Sequence, residues 1–171
     1  MHTLAQLNSG KYANITHLTL NENLTVFPQE IFSLANTLEV LDLSNNQLSD
    51  LPAEFAVLKK LKRLFLTNNK FEKVPTILAS CPKLEMISFK SNNLHTLDEH
   101  ALPTQTRWLI LTDNKVASLP DSMGDLHRLQ KFAFAGNQLK KLPNTMVNCK
   151  ALELIRLSAN QLTSLPDWLF Q

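Results

Sequence analysis

A pattern of leucines and polar residues returns every 23 residues along almost the whole chain. Successive units begin at residues 15, 38, 61, 84, 106, 129 and 152, so the fourth unit alone is one residue shorter. Nearly every unit contains L-x-x-L-x-L-x-x-N-x-L-x-x-L-P, as in "LEVLDLSNNQLSDLP" beginning at Leu38. This period predicts a stacked array of units, because no single unit can bury its own leucines.

Each unit is expected to contribute one short strand and to return along the outside of the array. Stacking then predicts an α/β solenoid shaped like a horseshoe, with about seven parallel strands on its concave face. Short helices or irregular segments should cover the convex face. Residues 1–14 are typical of a short amphipathic helix, with Leu4 and Leu7 inward, that caps the first of the seven repeats in residues 15–171. The seventh unit ends at "LPDWLFQ", before its outer segment is complete, so we expect an uncapped apolar end there.

The pattern resembles the leucine-rich repeat family, in particular its intracellular type with a 23-residue unit and an L-P signature. Four phrases, "FPQEIFSLANTLEVLDLSNNQLSDLP", "RWLILTDNKVASLP", "LQKFAFAGNQL" and "LPDWL", are similar to the N-terminal repeat region of bacterial leucine-rich repeat protein kinases. That resemblance implies a bacterial protein in which a kinase-like domain follows the repeats. The chain itself contains no kinase Gly-rich loop, no H-R-D and no D-F-G, so such a domain is expected downstream of Gln171.

Two residue types recur at fixed places in the units. An asparagine three residues after the second strand leucine is suited to form hydrogen bonds with backbone groups of the adjoining turn. Burial would otherwise leave those groups without a partner. We therefore predict a structural ladder of seven inaccessible asparagines: Asn23, Asn46, Asn69, Asn92, Asn114, Asn137 and Asn160. A proline follows the last core residue of most units, but Asp98 takes its place in the fourth unit. That unit is expected to lack a proper outer helix.

Composition excludes several classes of function. The net charge of +2 and the lack of a Lys/Arg run give no support for nucleic-acid binding. No apolar run is long enough for a membrane span, and the N-terminus lacks the pattern of a signal peptide. Cys81 and Cys149 lie three units apart, roughly 14 Å, which is too far for a disulfide. Since neither end carries a cysteine-rich cap, we expect a cytoplasmic protein, with export as a secreted effector as the alternative.

The residues also give no indication of catalysis. The stretch "HTLDEH" gathers His95, Asp98, Glu99 and His100, but its spacing matches no strong metal-ligand motif. No glycine-rich phosphate loop is present, and no nucleophile and base can be paired from local motifs. We predict no enzymatic activity in this chain, no cofactor and no metal site.

The strongest functional signal is the stretch "RWLILTDNK", where Trp108, Leu109, Ile110 and Leu111 are all large and apolar. Because side chains alternate along a strand, Leu109 and Leu111 should face the core while Trp108 and Ile110 face solvent. Equivalent outward positions form columns across the sheet and predict a mixed apolar and basic surface that binds a protein partner. The predicted contact residues are Val40, Asp42, Arg63, Phe65, Met86, Lys90, Trp108, Ile110, Lys131, Leu154 and Arg156.

Three interpretations of that surface remain open from the sequence. The first is a protein-interaction module whose partner has apolar and acidic character. The second is a regulatory or substrate-recruiting region of a kinase, as the resemblance implies. The third is self-association, through the concave face or through the uncapped C-terminal edge; scattered exposed apolar residues also occur with no role at all.

Overall fold

The computed structural model describes residues 1–171 and contains one parallel sheet of seven strands in sequential order. Every strand is three residues long, with a central side chain that points into the core. The strands are β1 (His17–Thr19), β2 (Val40–Asp42), β3 (Arg63–Phe65), β4 (Met86–Ser88), β5 (Trp108–Ile110), β6 (Lys131–Ala133) and β7 (Leu154–Arg156). The expected solenoid with a parallel sheet along one face is therefore confirmed.

Helices are confined to the N-terminus and to the convex side. The helix α1 (Leu4–Asn8) precedes the first strand, and Thr3 caps it by accepting a hydrogen bond from the Gln6 amide. Six 3₁₀ helices follow along the convex side: η1 (Gln29–Leu34), η2 (Ala53–Val57), η3 (Thr76–Ser80), η4 (Asp121–Asp125), η5 (Asn144–Asn148) and η6 (Asp167–Phe170). None of these helices has the length and apolar character that crossing a membrane requires.

Proline sets the start of each 3₁₀ helix. The residue before every one of the six is a proline in extended conformation, which turns the chain out of the sheet and leaves no amide to satisfy. In the fourth unit Asp98 stands in that place, and no 3₁₀ helix forms between β4 and β5.

The core is a single cluster of 39 buried apolar residues that runs the length of the solenoid. Leucines from the strands alternate with fully buried phenylalanines, among them Phe71 and Phe89, whose rings meet edge to face at 5.2 Å. At the N-terminal end Leu7 of α1 is buried and Leu4 packs against the same core. At the other end the apolar layer is open, because Phe170 is 75% exposed and Leu165 is 46% exposed.

The asparagine ladder begins in the second unit. The side chain of Asn92, for example, accepts from the Phe71 amide and donates to the Leu66 and Phe89 carbonyls. Equivalent bonds are made by Asn46, Asn69, Asn114, Asn137 and Asn160. Each of these side chains ties its own turn to the preceding one.

The expectation for Asn23 was wrong. Its side chain is exposed and makes no hydrogen bond, and its backbone lies in the left-handed region with φ 54°. The reason is a one-residue deletion: three residues separate Leu20 from Leu24, where four separate Leu43 from Leu48. The unit still has 23 residues, because nine residues separate Pro28 from Leu38, where eight separate Pro52 from Leu61. Leu24 and Leu48 are equivalent residues, because the carbonyl of each accepts a hydrogen bond from an amide of the next unit, Gln47 and Lys70 respectively. The deletion therefore precedes Leu24 and moves Asn23 out of the ladder position.

Candidate partner-binding site on the concave face

The strand register places the outward residues in two continuous columns. His17, Val40, Arg63, Met86, Trp108, Lys131 and Leu154 are successive partners in one column. Thr19, Asp42, Phe65, Ser88, Ile110, Ala133 and Arg156 form the other in the same register. We call the outward residues of β2 to β7, together with Lys90, the concave site.

The centre of the concave site is Trp108, which is in contact with the side chain of Lys131. Trp108 is half-buried, and the Lys131 ammonium lies over its ring at 4.1 Å from the centroid. Met86 pairs with Trp108 on the preceding strand. A cation over an indole face contributes about 0.5–1 kcal/mol at exposed sites, so this contact restrains the indole before any partner arrives.

The apolar residues of the site do not form one unbroken group. Phe65 and Ile110 lie two strands apart, because the buried Ser88 separates them in their column. The Ser88 hydroxyl is 3.2 Å from that of Thr67, which holds it in the sheet.

Charge on this face is mostly positive and mostly unpaired. Arg63, Lys90, Lys131 and Arg156 take part in no ion pair. The carboxylate of Asp42 is also free of ion pairs and accepts instead from the Ser44 amide at 2.9 Å. A ligand that approaches the sheet therefore meets more available cations than anions.

A third column, which the sequence reasoning missed, borders the site. The residues just before the strands alternate in charge, since Glu39 pairs with Lys62 and Glu85 lies 3.8 Å from Arg107. Lys62 lowers the pKa of the Glu39 carboxyl, chiefly by a hydrogen bond. Arg107 also donates to the Gln130 side chain at 3.0 Å. In the sequence, the charge at this position changes sign from one unit to the next, and that alternation would have revealed the column.

The column that contains Trp108 and the column of residues just before the strands enclose a small cleft. Arg63, Glu85, Met86, Arg107 and Trp108 line a space of about 200 Å³. Its lining combines an indole, a thioether, two guanidinium groups and the Glu85 carboxylate, which lies 3.8 Å from Arg107. The Arg63 guanidinium is the charged group of this lining that takes part in no ion pair.

The remaining members of the site lie toward its ends. Val40 and Asp42 are three strands from Trp108, about 14 Å at the usual strand spacing. Leu154 and Arg156 lie on the last strand, where Leu154 is 39% exposed. A partner must span most of the sheet to contact all of them.

Other chemistry-bearing residues lie away from this face. Cys81 and Cys149 are buried and unpaired, and burial raises the pKa of each thiol to about 11. His100 and Asp98 lie in the loop of the fourth unit, on the convex side. No three His, Cys, Asp or Glu side chains converge as a metal site would require.

Comparison with known proteins matches this geometry to a family. The leucine rich repeat model matches residues 13–71 and 104–162, more than half of the chain, so the chain belongs to the leucine-rich repeat family. A leucine-rich repeat protein of Leptospira interrogans is 28% identical, with a TM-score of 0.70 over 93% of this chain and 47% of its own. The plant peptide hormone receptor RGFR1, solved in complex with RGF2, is 27% identical, with a TM-score of 0.66 over 81% and 23%.

An internalin from Listeria monocytogenes shares the fold. It is 21% identical and has a TM-score of 0.75 over 92% of this chain and 46% of its own. The chain spans less than half the length of each of these three solved chains. Leucine-rich repeat proteins are in general protein-interaction modules.

Proposed function

We propose that this chain binds a protein partner through the concave site and that the partner presents apolar and acidic side chains. The observation that carries the proposal is Trp108, held under Lys131 on an open sheet face among apolar residues and unpaired cations. Tryptophan and arginine are the residues most enriched in binding hot spots. The plant receptor that was solved in complex with RGF2 supports the proposal, because it has the same fold.

The test is capture of partners from the lysate of the source cell, with wild type beside a Phe65→Ser/Trp108→Ser variant. Truncating a central aromatic anchor typically costs about 2–4 kcal/mol, so the variant should lose a partner that wild type retains. A matched control is Val57→Ser/Val147→Ser, which removes exposed apolar side chains from the convex helices. Identical captures by all three proteins contradict the proposal.

The acidic character of the partner has its own test. Arg63→Glu/Lys131→Glu should slow association with the captured partner and reverse the effect of added salt on its rate, since rim charges act mainly on encounter. Lys140→Glu/Lys141→Glu makes the same charge change on exposed residues outside the sheet. Equal slowing by both variants means that net charge, not the concave site, governs association.

A second proposal rests on the quoted phrases that resemble bacterial leucine-rich repeat protein kinases. In that case the concave site recruits a substrate or regulator to a kinase domain encoded downstream of Gln171. Reading the gene in frame beyond that codon tests it: kinase motifs support the proposal, and a stop codon contradicts it. The buried free thiols support a cytoplasmic location, which fractionation of the source cell checks.

Self-association is the competing proposal for the exposed apolar residues. Leu154 on the last strand and Phe170 in η6 are exposed apolar side chains. Sedimentation across a wide range of protein concentrations distinguishes the cases. A dimer that the Phe65→Ser/Trp108→Ser variant disrupts would assign the concave site to self-contact, and a dimer it leaves intact would point to the terminal edge.

A further inference from the structure

We infer that the convex side carries a second binding site, at the fourth unit, for an arginine- or lysine-bearing apolar segment of a partner protein. This site is separate from the concave site and does not depend on the function proposed for that face. The inference rests on a cleft, on the rigidity of its walls and on the charge of its rim.

The cleft exists because one helix is missing. The third and fifth units carry η3 and η4, whereas the fourth crosses the convex side as an irregular loop. The gap is a cleft of about 200 Å³ between that loop and η4. Its floor is apolar and consists of Leu97, Ala101, Leu102, Met123 and Leu126, all less than 10% exposed. A space of about 200 Å³ has room for one long side chain but not for a helix.

Hydrogen bonds fix the walls of the cleft before any ligand binds. The two carboxylate oxygens of Glu99 accept from the Asp121 and Ser122 amides, each at 2.9 Å. The His100 amide donates to the Ser122 hydroxyl, also at 2.9 Å. The Ser122 side chain contributes most to lowering the pKa of the Glu99 carboxyl, and the two amides lower it further. The loop is therefore tied to the first turn of η4 and resists collapse into the gap.

The rim of the cleft is acidic. Asp98 and Asp125 both line it, and none of its twelve lining residues is a lysine or arginine. Asp98 is in no ion pair, and Asp125 faces only the imidazole of His100 at 3.7 Å. This charge is opposite to that of the concave site, although the protein as a whole carries +2.

An apolar floor below an acidic rim matches one class of side chain. Arginine and lysine bury an aliphatic stem along apolar surface and keep a cationic end at the rim. Aliphatic neighbours in the same segment would cover the edges of the floor. An acidic segment, of the kind expected at the concave face, would be repelled by Asp98 and Asp125.

The test is an NMR titration of ¹⁵N-labelled protein with a blocked pentapeptide of sequence alanine-leucine-arginine-leucine-alanine. We expect saturable shifts of the His100, Ala101 and Ser122 amides, while the Trp108 indole signal stays in place. The same peptide with glutamate in place of arginine should shift none of them. Added salt should weaken the arginine peptide, because the rim charges are exposed.

Variants decide whether the rim carries the recognition. Asp98→Asn/Asp125→Asn should weaken binding of the arginine peptide by about three- to tenfold, as two exposed ion pairs of about 0.5 kcal/mol or more would. Glu54→Gln/Glu72→Gln removes two charges elsewhere and should leave binding unchanged; both variants must keep the wild-type amide spectrum. The inference is overturned by absence of saturable shifts at the cleft, by equal binding of the glutamate peptide, or by equal weakening in both variants.

Discussion

The asparagine ladder makes a quantitative prediction at its centre. Replacing Asn92 by alanine removes the only hydrogen-bond partner of the buried Phe71 amide. The Leu66 and Phe89 carbonyls also lose a donor, but each keeps one from the neighbouring ladder residue, Asn69 or Asn114. One orphaned buried amide costs about 1–3 kcal/mol, and two weakened carbonyl contacts add about 0.5 kcal/mol each. Asn92→Ala should therefore lower the free energy of unfolding by about 2–4 kcal/mol.

The assay is urea unfolding followed by circular dichroism, with Asn93→Ala as the matched control. Asn93 is the exposed next residue and its side chain makes no hydrogen bond, so its replacement should change stability by less than about 0.5 kcal/mol. Units in such an array contact only their neighbours, so loss at the centre should also make the transition less cooperative. Equal losses in the two variants would refute the ladder as the source of stability, as would an Asn92→Ala protein as stable as wild type.

Further predictions follow from the buried thiols and from two positions of left-handed backbone. Cys81 and Cys149 should not react with Ellman's reagent at pH 8 until urea is added. Burial raises the pKa of both thiols from the ordinary 9.0 to about 11. Their contribution to the free energy of unfolding should therefore be complete below pH 9 and be lost as the pH rises through 11. Gly136→Ala should lower the melting temperature, since φ is +72° and the new Cβ would lie 2.5 Å from a carboxylate oxygen of Asp113. Ala159→Gly, at the equivalent place with φ 55°, should raise stability by about 0.5–1 kcal/mol.

The regular part of the fold was predictable from the sequence for a simple physical reason. Each turn of the solenoid uses the same number of residues, so residues 23 apart must meet in neighbouring strands. Val40 pairs with Arg63, and Arg63 with Met86, as the repeat spacing requires. The missing outer helix of the fourth unit followed from Asp98, since proline opens every 3₁₀ helix that does form.

A repeat pattern does not specify where in a turn an inserted or deleted residue lies, or how side chains of neighbouring strands contact each other. Asn23 lies three residues after Leu20, as a ladder residue should, yet the deletion before Leu24 exposes it. The stacking of Lys131 on Trp108 depends on side-chain reach between strands, and pattern alone could not supply it. The same holds for Ser88, whose burial separates Phe65 from Ile110.

The short fourth unit links the two proposed surfaces. Met86 and Trp108 are 22 residues apart, but they pair in the same register as residues 23 apart elsewhere, so the deletion lies wholly outside the sheet. The concave columns therefore pass through this unit unbroken, while the convex side loses a helix and gains an acidic cleft. Because the buried strand leucines lie between them, a substitution at either surface should leave the other intact. The two proposals together therefore predict that the two sets of variants act additively.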